Sequence, residues 1–98
     1  MSATLKRLQR WYLSNCNDDW EHQYGLTLGT LDNPGWSIDI DLVGTPLSRR
    51  KLDPVEIQRK NENDWIHCSR TETQFQGRCG PNDLEELLGM FLDWAEEQ

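Results

Sequence analysis

Two runs of alternating residues, separated by one short turn signal, constrain this chain more than any other feature. In the first, Tyr24, Leu26, Leu28 and Thr30 alternate with Gly25, Thr27 and Gly29. In the second, Trp36, Ile38, Ile40 and Leu42 alternate with Ser37, Asp39 and Asp41. Side chains of an extended strand point to opposite faces in turn, so a period of two sends one set to a core and the other to solvent. Between the runs lies Asp32-Asn33-Pro34-Gly35. Proline presets φ for the first central turn position, and glycine tolerates positive φ after it. Two such runs joined by such a turn predict a β-hairpin. Its apolar face needs a cover.

The flanking segments supply one. Leu5, Leu8 and Tyr12 fall at helical spacing with Trp11 beside them, predicting a helix over residues 2–13 with Lys6, Arg7 and Arg10 toward solvent. Residues 14–19 are polar and end it. After the hairpin, Gly44-Thr45-Pro46 breaks the strand, and residues 47–54 form a basic loop with Arg49, Arg50 and Lys51. Val55, Ile57 and Arg59 suggest a third strand, Asn61-Glu62-Asn63-Asp64 a turn, and residues 65–70 a fourth strand. Residues 73–77 either continue it after a bend or form a short fifth. Gly80-Pro81-Asn82-Asp83 then opens a last helix, with Asn82 as its cap and Glu85 reaching back. Leu84, Leu87, Leu88, Phe91, Leu92 and Ala95 give that helix an apolar stripe wide enough to cover a sheet. Trp11, Trp36, Trp65 and Trp94 read as core from their positions in these elements. The expectation is one α+β domain over residues 1–98. It has a small antiparallel sheet of four to five strands with an N-terminal and a C-terminal helix packed on one face.

Composition removes several function classes. A formal net charge of −7 repels nucleic acid and anionic membranes. No apolar run is long enough for a signal sequence or a membrane span. Three cysteines, Cys16, Cys68 and Cys79, are odd in number and far apart, which reads as free thiols in a reducing, cytoplasmic setting. The available metal ligands, those cysteines with His22 and His67, include no closely spaced pair. His67 and Cys68 point to opposite faces of one strand, so neither a metal nor another cofactor is expected. A nucleophilic Cys79 is the enzymatic alternative, as in a small sulfurtransferase, because a helix N-terminus follows it. Against it, Pro81 removes a backbone amide, no arginine follows, and nearby acids raise a thiol pKa. The paired acids lie on a solvent-facing strand instead of across a cleft, and there is no phosphate loop or nucleophile elbow. A non-enzyme is expected.

The placement of charge says more. Residues 17–42 hold six acids and no Lys or Arg, and so do residues 83–98. Single-sign surfaces steer partners of opposite sign; the plainer alternative is that both stretches merely solvate their elements. Trp20, set between Asp19 and Glu21, reads either as a partner anchor or as a plug at the edge of the core.

The same residues carry a family likeness. Trp11-Tyr12, then Cys16-Asn17-Asp18-Asp19-Trp20-Glu21-His22 and Tyr24-Gly25, resemble the opening of the immunity protein 53 family. Thr30-Leu31-Asp32-Asn33-Pro34-Gly35-Trp36, followed by Ile40-Asp41-Leu42, is similar to its most recognisable stretch. Asp64-Trp65, Phe75 and the helix at residues 84–94 resemble its later half. The resemblance implies a bacterial, cytoplasmic immunity protein of a polymorphic toxin system, which neutralises a cognate toxin domain by direct binding and has no catalytic residues or cofactor. The charges fit a basic toxin surface, such as that of a nuclease. The expected partner-binding residues are Asp18, Asp19, Trp20, Glu21, Asp39 and Asp41, occluding that surface. A self-associating module, pairing through an exposed sheet edge, is a third reading.

Overall fold

In a computed structural model that describes residues 3–97, helix α1 (Ala3–Asn15) leads through a single turn, α2 (Trp20–Gln23), into the hairpin. Its strands are β1 (Leu26–Leu31) and β2 (Gly35–Asp41), in register from Leu26 opposite Ile40 to Leu31 opposite Gly35. β3 (Val55–Gln58), β4 (Trp65–Arg70) and β5 (Gln74–Cys79) follow, then helix α3 (Leu84–Glu96). The start predicted at Ser2 lies outside the described residues.

The five strands run in the order β1-β2-β5-β4-β3, every neighbouring pair antiparallel. The chain therefore leaves β2, crosses to the far edge through residues 42–54, and returns by a meander that closes β5 onto β2. β5 is the central strand, flanked by β2 and β4, and the inward residues of all three are apolar: Ile38, Ile40, Ile66, Cys68, Phe75 and Cys79 are buried. α3 lies over this centre with Leu87, Leu88, Phe91 and Leu92 in the core. α1 packs beside α3 on the same side, its Trp11 ring edge-on to Phe91 at 5.1 Å and its Arg7 bonded to Asp93 at 3.0 Å and Glu96 at 3.1 Å. An α+β fold with both long helices on one face is thus observed, and among the described residues no helix covers the other sheet face.

Three details depart from the sequence expectations. β5 runs through Gly77 to Cys79 instead of ending at the glycine. A Cβ at Gly77 would lie 2.8 Å from a Leu87 methyl and 3.0 Å from Ile38, so the glycine is the seat on which α3 rests. Gly35 does not adopt positive φ; it is needed because a side chain there would overlap the Cys79 carbonyl oxygen on the neighbouring strand. The N-cap position of α3 is Asp83, one residue after Asn82, and its carboxylate reaches outward to accept the Trp65 N–H at 2.9 Å.

One arginine of the basic loop is taken up internally, and the loop's carbonyls hold another from β4, while Arg49 and Lys51 stay exposed. Arg70 donates to the carbonyls of Leu47, Ser48 and Arg50, and Arg50 donates to the Trp94 carbonyl at 2.8 Å, placing a cation on the C-terminal end of α3. That cation answers the unfavourable acids Glu96 and Glu97.

Candidate functional site

The acid-rich link between α1 and α2 is built from its own side chains. The Asn17 side-chain oxygen accepts the N–H groups of Asp19 at 3.1 Å and Trp20 at 2.8 Å. Glu21 reaches back the other way, its two oxygens accepting the N–H groups of Asn17 and Asp18, each at 2.8 Å. Backbone donors, first Glu21's own N–H and then those of Asn17 and Asp18, hold this carboxyl below the usual carboxylate range. The turn this produces puts Asp18 at φ +69°, a left-handed conformation that aspartate tolerates better than most residues. Asp18 and Asp19 end up exposed, and neither makes an ion pair among the described residues.

Trp20 corrects one expectation. It is 4% exposed, and its indole N–H donates to the Val43 carbonyl at 2.8 Å. Its ring lies against Trp11, Tyr12 and Tyr24 and over Gly44. It is the core plug, not an exposed anchor, and it fastens the acidic turn to the end of β2.

Asp39 and Asp41 do project from the outer sheet face, opposite Ile38 and Ile40, and both are half-buried. Each is already engaged. Asp39 pairs with Arg78 on β5 at 3.0 Å. Asp41 accepts the Gly25 N–H at 3.0 Å with one oxygen and the Gln74 side-chain amide at 3.0 Å with the other. These partners were invisible in the sequence because β5 sits next to β2 only through the long-range closure of the sheet. The turn and Asp41 meet at one end of the hairpin: Tyr24 donates its N–H to the Trp20 carbonyl at 2.8 Å, and Asp41 donates its N–H to Gly25 at 2.9 Å. The chain carries no Lys or Arg from residue 11 to residue 48, so the turn and the hairpin form an acidic sector with no base of their own, and Asp39 takes its partner, Arg78, from β5.

The acids of α3 are arranged differently. Arg7 takes Asp93 and Glu96; Arg59 takes Asp64 at 3.0 Å and Glu86 at 2.8 Å and comes within 3.8 Å of Asp83. Arg59, read in the sequence only as part of a strand, is therefore the hub of a four-member charge cluster.

Nothing in this arrangement favours Cys79 as a nucleophile. It ends β5 with its side chain fully buried. Burial first, and the nearby Asp83 second, push its thiol up to about 11, the direction opposite to that of an activated thiol. Burial likewise raises Cys68. Among the described residues no three His, Cys, Asp or Glu side chains gather where they could hold a metal ion, and no helix is long and apolar enough to cross a membrane.

Among known families, the one described as immunity protein 53 matches residues 5–96. Comparison with curated proteins and with solved structures gives no match.

Proposed function

The chain belongs to the immunity protein 53 family, and on that premise we propose that it neutralises a cognate bacterial toxin domain by covering a basic surface of that domain. The observation that carries this reading is the acidic sector at the α2 end of the hairpin. Asp18 and Asp19 supply its uncompensated charge, since both are exposed and outside any ion pair among the described residues. Trp20 and Glu21 act indirectly, the first by docking the turn on Val43 and the second by closing it through the Asn17 and Asp18 amides. Asp41, bonded only to neutral donors, carries the negative charge toward the outer sheet face, where Asp39 is paired with Arg78. A basic surface is what a polyanion-cleaving toxin such as a nuclease must present to its substrate, and a protein of net charge −7 is drawn to it. The action is stoichiometric binding in the bacterial cytoplasm, with no chemistry by the antagonist.

Asp18→Asn with Asp19→Asn tests this cleanly, because asparagine keeps the tolerance for left-handed φ and removes only charge. Against the cognate toxin domain, stopped-flow association should slow by about tenfold at low salt, and the difference should shrink as salt rises. Equal association rates at every salt concentration would place the contact elsewhere. Co-expression with that domain should restore growth; failure to do so would remove the antagonist reading itself.

A further inference from the structure

The sheet has two edges, and only one is defended. β3 is four residues long, enters from Pro54, exposes Glu56 and Gln58, and exits into Arg59 and Lys60. Shortness, charge and proline are the devices by which sheets refuse a stray strand. β1 uses none of them: it is six residues long, reads Leu-Thr-Leu-Gly-Thr-Leu, and carries neither charge nor proline.

Its free backbone groups can be identified. Asp41 donates its N–H to Gly25, and bonded positions alternate along an antiparallel pair. Gly25, Thr27, Gly29 and Leu31 therefore spend their backbone groups on β2. Leu26, Leu28 and Thr30 turn their N–H and C=O groups to the open side, where, among the described residues, no further strand, loop or side chain meets them. On the helix side of the sheet, Leu28 is 46% exposed. Leu26, on the same face, lines a shallow groove with Leu8, Tyr12 and Tyr24. An added strand would find both hydrogen-bonding partners and an apolar strip for alternate side chains.

Charge decides between occupants. Two copies of this chain would pair about a two-fold axis, with their β1 strands antiparallel. That places the acidic turn at the start of one β1 beside Asp32 at the end of the other, acid against acid at both ends. A segment with Lys or Arg flanking a short run of small or apolar residues meets the reverse situation.

We propose that β1 accepts an extended, basic-flanked segment of the toxin domain as a sixth strand of the sheet. This rests on the antagonist reading and specifies how the partner is held: backbone hydrogen bonds to Leu26, Leu28 and Thr30, with the acidic turn and Asp32 clamping the ends.

Thr30→Pro deletes one outward donor that β2 does not use, and Gly29 accommodates the restriction that proline places on its predecessor. Leu28→Lys sets a like charge against a basic segment. The unmodified chain and both variants are titrated calorimetrically with the purified cognate toxin domain. Amide exchange at Leu26, Leu28 and Thr30 is followed with and without that domain. Each variant should weaken binding by about tenfold or more, and the three amides should slow by at least about tenfold on binding. Undiminished affinity in both variants, with no added protection at these amides, would overturn strand addition while leaving the antagonist reading intact. No affinity in the unmodified chain would remove both. A dimer of the free chain that Thr30→Pro abolishes would make a second copy the occupant and overturn the proposal. Should Thr30→Pro unfold the protein, Leu28→Lys and the exchange data decide.

Discussion

The acids in residues 17–42 and those in residues 83–97 look alike in the sequence and behave differently in the fold. Along α3, Arg7 and Arg59 reach across from other elements to Asp93, Glu96 and Glu86, so that stretch is tied into the scaffold. At the α2 turn, no ion pair reaches Asp18 or Asp19 among the described residues, Arg7 of the preceding helix being taken up by Asp93 and Glu96, and both acids remain facing solvent. A run of like charge is therefore ambiguous by itself: it becomes scaffold where the topology brings an arginine alongside and remains available where it does not.

The contrast can be broken most severely at Asp83. Asp83→Ala removes the acceptor of the Trp65 N–H and one carboxylate from the Arg59 cluster. Urea unfolding should show a loss of about 2 kcal/mol, while affinity for the toxin domain stays unchanged. A change of affinity instead would mean that the two acidic regions are not separate in role.

An acid titration sharpens the contrast by sign. Glu86 is held below the usual range by its hydrogen bonds from Arg59, and Glu21 by backbone donors. Each contributes stability that is complete above its unfolded-state value and fades as pH falls through its folded one. Asp83 is raised, chiefly by burial, so its ionisation opposes folding, and the stability withheld at neutral pH returns as pH falls through its folded value. Asp83→Asn removes that return. Its urea midpoint should fall more steeply than that of the unmodified protein between neutral pH and the acid range. Parallel curves would show that Asp83 ionises as freely in the folded state as in the unfolded one.

The smallest effect belongs to the exposed pair. Asp18→Asn with Asp19→Asn should leave thermal stability within about 0.5 kcal/mol of the original, although the same change slows association. A large loss would mean that these acids, too, are scaffold.

The sequence made some of this legible. The hairpin and its turn follow from the period of two, and the α3 stripe from helical spacing; both are local patterns, and the structure keeps them. The Asp39–Arg78 pair depends on β5 lying next to β2, an adjacency created by a crossover that no local window records. Gly77 reads as a strand terminator by propensity, whereas its missing side chain is what lets Leu87 seat. Trp20 was ambiguous because a tryptophan between acids looks the same whether its ring is out or in. The Val43 carbonyl that draws the indole inward is on another element. The candidate surface was thus readable as a composition, and its division into engaged and available charges was not.

The crossover also orders events on the ribosome. β2 is completed by β5, and the apolar face they share is covered by α3, which follows β5 in the chain. A nascent chain halted at residue 70 holds a hairpin whose second strand still lacks a neighbour on one side and a lid above. Most of this molecule therefore cannot fold before α3 has been made, and slow pairing between distant strands, not helix formation, sets how soon a newly made copy is ready.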